Sequence, residues 1–211
     1  NRDLSSINQL KKIMTASDFF IAEQRVRLQK LTKSKDKIDT LKIFNIKDPG
    51  VLFDYANYLQ SKRKYKKVSS IIFNLSNNPV KLGLSYKWSE LRIYHARREL
   101  RLGNMMKAYK ISSNHLISNE FFVNDDFKES KQGYVELEWL SGFIALNFLK
   151  KPEVAINHFS NILDLVTNKN FLSKNYYWYA RSLEKLERIN EAQDYYKKGS
   201  IYISTFYGQL S

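Results

Sequence analysis

Two basic clusters hold the densest set of ligand-binding side chains in this sequence, Lys62-Arg63-Lys64-Tyr65-Lys66-Lys67 and Arg97-Arg98-Glu99-Leu100-Arg101. Cations grouped in this way neutralise phosphates or carboxylates, and such binding weakens steeply with salt. Base recognition also calls for aromatic rings interleaved with the charges, and only Tyr65 qualifies. The first cluster spans an expected turn, where solvated charge is ordinary, and the second winds around a helix so that its arginines do not share a face. Nucleic acid is therefore a disfavoured partner. Three scattered histidines (His95, His115, His158) and no cysteine supply no metal-ligand set and no thiolate. Each histidine reads as a surface or hairpin-packing residue. Isolated glycines give no phosphate-cradling loop, and no Ser/His/Asp arrangement stands out. The expectation is a chain with no catalytic, cofactor-binding or metal-binding residues, and no cofactor.

The elements that would position such side chains are helices. With 43% apolar and 14% aromatic residues the chain has material for a buried interior and none of the aromatic depletion of disorder. Seven glycines and three prolines leave little for hairpin turns between strands, and no alternating Val/Ile/Thr run appears. Lys and Arg outnumber Asp and Glu by 35 to 21, a net charge of +14. Such a field draws polyanions, although enrichment in Lys, Asn and Ile together also fits a coding bias. The longest apolar run, Phe143 to Leu149, is broken by Asn147 and falls short of the ~20 residues of a membrane span. A start at Asn1 with no leader reads as a processed or excised chain.

The clearest unit is the segment from Tyr176 to Gly199, with Ala180 at a helix crossing, Leu183 one turn on, Ile189 at the turn, then Ala192, Tyr196 and Gly199. Small residues let helix axes approach to roughly 8–10 Å. The same template reads from Ala22 (Leu31, Ser34, Ile38, Leu41), from Ala56 (Tyr65, Val68, Ile72, Leu75) and from Ala96 (Met105, Ala108, Ser112, His115). From Gly142 it reads Ala155, Phe159 and Ile162 once a turn between Leu149 and Pro152 is granted one extra residue. The small residues recur at spacings of 34, 40, 46 and 38, so the array is a lengthened relative of the tetratricopeptide repeat. The expected fold is all-α, a right-handed superhelix or solenoid of about five tetratricopeptide-like hairpins forming a single domain over residues 1–211. A short helix is expected from Asn1 to Met14, a second over Phe19 to Leu31 capped by Ser17 and Asp18, and an acidic loop from Leu116 to Tyr134. The concave face of a stacked array should carry Asn57, Arg97, Phe143 and Arg181, with Lys174 and Tyr177 nearby.

The C-terminal part resembles a known family. Leu137-Glu138-Trp139-Leu140-Ser141-Gly142-Phe143-Ile144-Ala145-Leu146, then Phe148-Leu149-Lys150-Lys151-Pro152 and Ala155-Ile156-Asn157-His158-Phe159, is similar to the helical domain of soluble lytic murein transglycosylases. There a Trp-Leu-x-Gly-Trp-x-Ala-Leu-Arg-Phe-Leu pattern precedes a Pro turn and an Ala-x-x-His-Phe helix. Tyr177-Trp178-Tyr179-Ala180-Arg181, Glu191-Ala192 and the closing Thr205-Phe206-Tyr207-Gly208-Gln209-Leu210 follow in the family's order, and Ala96 to Leu100, Gly103 and Ala108-Tyr109 resemble its preceding hairpin. The likeness covers residues 88 to 211; before that only the helical rhythm agrees.

The resemblance implies a periplasmic cell-wall enzyme that cleaves the β-1,4 bond between N-acetylmuramic acid and N-acetylglucosamine without water, leaving a 1,6-anhydro end. Its acid-then-base glutamate would lie in a lysozyme-like domain downstream, marked by Glu-Ser and Gly-Leu-Met-Gln signatures. Glu129-Ser130 spells the dipeptide without the partner signature and reads as coincidence. This chain would then be the scaffold that shapes access of glycan strands, with Phe206, Tyr207, Gly208 and Gln209 at the interdomain junction. Peptidoglycan glycan strands and the downstream catalytic domain are the implied partners. Two other readings stand beside it: a tetratricopeptide-like adaptor holding a protein partner in its groove, and RNA binding through the basic surface.

Overall fold

The computed structural model describes residues 9, 11–34, 47–75, 78–118 and 128–211, and among them every regular element is helical, with no strand. The expected helix from Asn1 to Met14, the template positions Ile38 and Leu41, and the acidic Asn124-Asp125-Asp126 lie wholly or mostly outside the described residues. The chain divides into two compact units, Asn1–Leu84 and Ser85–Ser211.

In the first unit α1 (Ala16–Lys33) packs on α2 (Pro49–Ser61), which leads into α3 (Tyr65–Leu75) and a short α4 (Pro79–Leu82). The cap of α1 is Thr15, ahead of the expected Ser17 and Asp18. Its hydroxyl oxygen accepts the Asp18 N–H at 3.1 Å and lies 2.7 Å from the Asp18 carboxylate, which joins Thr15 in closing the first turn. The template at Ala22 fails: α1 continues through Leu31 to Lys33, and Ala22 is half-buried while Gln24, Val26 and Leu28 are buried. The contact to α2 is made by long polar arms. Asp54, 6% exposed, accepts from Arg25 Nε at 2.7 Å and from Gln29 Nε2 at 3.1 Å. A side chain at Gly50 would begin 2.8 Å from the Arg25 guanidinium, so that glycine clears the path of the arm.

The second unit runs through α5 (Ser89–Arg101), α6 (Met105–Ser113), α7 (Lys128–Asn147), α8 (Pro152–Ser160), α9 (Lys169–Glu184), α10 (Ile189–Ser200) and α11 (Phe206–Leu210). Each packs on the next in sequence, and α7 also touches α5 and α9. Burial of α7 on several sides follows, since it has neighbours all along its length. The loop expected from Leu116 to Tyr134 is corrected at its end: Lys128 already begins α7, so Glu129-Ser130 sits in a helical first turn. Lys, Glu and Gln are good helix formers, and Gly133 serves close packing instead of a turn, because a Cβ there would lie 2.2 Å from Ser89 Oγ. Arg92, fully buried, donates from Nη1 to the Ile111 carbonyl at 2.8 Å and so ties α5 to α6; burial lowers its pKa to about 10.

The crossing residues read from sequence are where helices meet. Ala56, Ala96 and Ala180 are fully buried, and an added Cβ at Gly142 would lie 2.8 Å from the Phe159 ring. The hairpin turns share one construction. At Arg63, Gly103 and Glu187 the backbone is left-handed (φ 57°, 81° and 60°). The residue after each donates its N–H five residues back: Lys64 to Leu59, Asn104 to Glu99, Arg188 to Leu183. This is the Schellman closure of a helix. The turn after α7 is wider by one residue, with Lys150 left-handed and Lys151 donating six back to Ala145, which is the extra residue the template required. An L side chain in this region costs about 1–2 kcal/mol, and glycine recovers part of it against a higher unfolded-state entropy. Arg63→Gly, Lys150→Gly and Glu187→Gly should each raise stability by about 0.5–1 kcal/mol in urea unfolding, whereas Gly103→Ala should lower it.

Candidate functional site

Lys174, on the second turn of α9, is held in an unusual place for a lysine. Its Nζ stands 3.6 Å from the Trp139 ring centroid and 4.3 Å from that of Phe171. Trp139 is also stacked on Phe143 (5.3 Å, 18°), which in turn meets Trp178 edge-on at 5.0 Å. The ammonium thus caps a column of rings shared by α7 and α9, a cation–π arrangement. Burial pushes its pKa down to about 8, with Glu136 acting to raise it and Arg97 to lower it. No ion pair to Lys174 forms among the described residues.

A cavity of about 360 Å³ opens beside it, walled by Asn168, Asn170, Phe171, Lys174 and the turn Thr205-Phe206-Tyr207. A larger one of about 710 Å³ shares Asn168 and Phe171 with it and extends past Lys128, Lys131 and Glu136 of α7. The wall formed by α11 is fixed by Thr205, whose Oγ1 accepts the Gly208 N–H at 3.0 Å and lies 2.7 Å from Ser173 Oγ on α9. Gly208 is required there: a Cβ would sit 2.0 Å from the Tyr202 carbonyl oxygen. Tyr207 then packs against Tyr177 at 5.4 Å and Trp178 at 6.4 Å, while Phe206 is left 68% exposed at the cavity mouth.

A second polar cluster lies inside the unit. Glu138 on α7, 4% exposed, accepts from His115 Nε2 on Oε1 at 2.9 Å. On Oε2 it accepts from His158 Nδ1 at 3.0 Å and Asn161 Nδ2 at 2.8 Å. His115 Nδ1 accepts the Ile117 N–H at 3.0 Å, which fixes its proton on Nε2. His158 Nε2 meets the Tyr109 hydroxyl at 3.0 Å. Burial alone would raise the Glu138 pKa, but the bonds from His115, His158 and Asn161 and the His158 charge outweigh it and hold it at about 2. A buried carboxylate held ionised by three accepted hydrogen bonds is a structural anion and not a proton source near neutral pH. Its work is to clasp α7 to the segment after α6 and to α8.

The residues expected on an inner face fall in different places. Lys174 joins Phe206 and Tyr207 around the small cavity, while Tyr177 packs on Tyr207 without lining it. Arg97 is exposed on α5 and acts on Lys174 through its charge. Arg181 pairs with Glu184 at 3.4 Å and lines a separate cavity of about 370 Å³ with Trp178 and Lys150. Asn57 belongs to the first unit and donates to the Phe53 carbonyl one turn back on its own helix. Gln209 is exposed on α11. Sequence reasoning did not single out Glu138 or its clasp with His115 and His158; an acid between Leu137 and Trp139, at the start of the run to Leu146, was the available signal. Among the described residues no group of His, Cys, Asp and Glu is arranged to hold a metal ion, and no helix is long and apolar enough to cross a membrane. Comparison with protein-family models, curated proteins and solved structures returned no match.

Proposed function

We propose that this chain is the helical scaffold of a periplasmic soluble lytic transglycosylase, in which the hairpins of Ser85–Ser211 stack as part of a right-handed solenoid and border the path of a peptidoglycan glycan strand. The catalytic glutamate would belong to a lysozyme-like domain that partners this one, consistent with a Glu138 that is buried and held by three hydrogen bonds. Support for the stack comes from the order of packing, each helix on its successor and α7 on α5 and α9. The single observation that carries the functional reading is the meeting of Lys174 with the Phe206-Tyr207 turn around one open cavity. Phe206 and Tyr207 come from the closing stretch of the family-like pattern and Lys174 from the expected inner face of the array, and together they offer ring faces and a cation to a chain of sugars bearing carboxylates.

The test is cosedimentation of the full chain with purified murein sacculi over a salt series. Saturable binding that weakens with salt is the expected result. A protein that ignores sacculi yet binds a defined protein partner with fixed stoichiometry is an adaptor, and one that binds RNA with a steep salt slope belongs to the third class. Either outcome removes the cell-wall reading. Coding sequence beyond Ser211 that contains Glu-Ser and Gly-Leu-Met-Gln segments would strengthen it independently.

A further inference from the structure

We infer that the cavity between the start of α9 and α11 is a binding site for an acidic saccharide, with Lys174 receiving the carboxylate and Phe206 supplying a face for the ring. The inference deepens the scaffold reading and rests on it for the kind of polymer, but its chemistry comes from the cavity itself. The residues that line the pocket include no carboxylate, so the site offers amide and ammonium donors and apolar surface without a fixed negative charge of its own. Lys174 is the cation, drawn down between Trp139 and Phe171 and left without an ion pair among the described residues. A partly desolvated ammonium held against ring faces, on which the Glu136 charge acts without forming an ion pair, gains from a ligand that brings a full negative charge. Asn168 uses its side-chain oxygen to cap α9, accepting from the N–H groups of Asn170 and Phe171 at 3.0 and 3.2 Å. What remains to it is the amide NH2, another donor.

The apolar half of the ligand follows from the opposite wall. Trp139 is already engaged, stacked with Phe143 and carrying the Lys174 ammonium over its ring, so it is support and not platform. Phe206 is the ring left open, 68% exposed at the mouth. Its direction is set by the Thr205 cap and by the Gly208 contact with Tyr202, which leave α11 one way to dock. A volume of about 360 Å³ is in the range of small-molecule sites. A bare inorganic anion would leave Phe206 unused, and a neutral sugar would leave Lys174 uncompensated. A pyranose that carries a carboxylate, whether as a uronate or as a lactyl ether, satisfies both.

The experiment is calorimetric titration of the full chain with N-acetylmuramic acid, glucuronate, N-acetylglucosamine and acetate. Both acidic sugars should bind, with the neutral sugar and acetate each at least tenfold weaker. Lys174→Met should abolish the preference for the acids, Phe206→Ala should weaken both acidic sugars, and neither should move the melting temperature by more than a few degrees. Affinity for the acidic sugars should be level from pH 5 to 7 and fall beyond about 8, where the Lys174 ammonium loses its proton. Equal binding of N-acetylglucosamine and N-acetylmuramic acid, or a Lys174→Met protein with unchanged selectivity, overturns the inference. If Lys174→Met disturbs folding, Lys174→Gln and the pH profile of the unmodified chain decide the matter. Sacculus binding that survives Lys174→Met sinks this site and spares the scaffold reading; acidic-sugar binding without sacculus binding does the reverse.

Discussion

Replacing Glu138 by alanine should destabilise the protein by about 3–5 kcal/mol, the usual loss when one member of a buried charged cluster is removed. The substitution leaves His115 Nε2, His158 Nδ1 and Asn161 Nδ2 without their acceptor. Each is a donor facing an enclosed space, and each unmade bond has its own desolvation cost. In a thermal melt this should appear as a fall of about 10 °C or more. The same carboxylate gives an acid signature whose sign is fixed by its pKa. Held at about 2 against an ordinary 4.5, it binds its proton less readily in the folded chain than in the unfolded one. Its contribution is therefore complete above pH 4.5 and is lost as the pH falls through 2, on the order of 3 kcal/mol over that window. Glu138→Gln should be less stable at neutral pH, because in either orientation the amide points its N–H2 at a histidine N–H, and its stability should change less between pH 5 and 2. Parallel acid profiles for the two proteins would show that the cluster does not hold its charge.

Gly142→Ala should cost about 1–3 kcal/mol even though alanine is the better helix former by about 1 kcal/mol. The reason is local and has a named partner. The new methyl would begin 2.8 to 3.0 Å from three atoms of the Phe159 ring, which is fully buried and packed with Ala145, Leu146 and Ala155. A ring enclosed in this way gives ground only by moving its own neighbours. Adding Phe159→Leu to Gly142→Ala should return part of the loss, since the smaller side chain opens room for the methyl, while Phe159→Leu alone should destabilise. A urea-unfolding cycle with a coupling energy near zero would mean that α7 and α8 do not meet at this pair.

The hairpin register was legible from sequence because close helix crossing tolerates few side chains. Ala56, Ala96, Gly142 and Ala180 announce the contacts, and the partner slots Val68, Ile72, Ala108, Ser112, Ala155, Phe159 and Ala192 are buried with them. Even the odd slot, His115, is 5% exposed as the template demands. The contact of α1 with α2 broke the pattern: Arg25 and Gln29 reach across it to Asp54, and polar arms leave no periodic apolar trace. The start of α7 was hidden by Gly133, whose helical role depends on Ser89, a residue far away in sequence. Glu138 was hidden for a similar reason: its partners stand 23, 20 and 23 residues distant, and a lone acid on a helix reads as a solvated one. The cavity at Lys174 was half legible. Lys174 was expected from helix geometry and Phe206-Tyr207 from the family-like ending, but nothing in one dimension says that they share a wall.

The column that ends in Lys174 also makes the protein its own optical probe. An ammonium 3.6 Å from the Trp139 indole biases that ring's excited state, and the bias disappears when the amine loses its proton near pH 8. Trp88 is shut away at 1% exposure and Trp178 is wedged among Phe143, Tyr177 and Tyr207, so neither shares this switch. Emission recorded from pH 7 to 9 should therefore carry a component that follows this amine, and a ligand bound beside it should shift that component without any label.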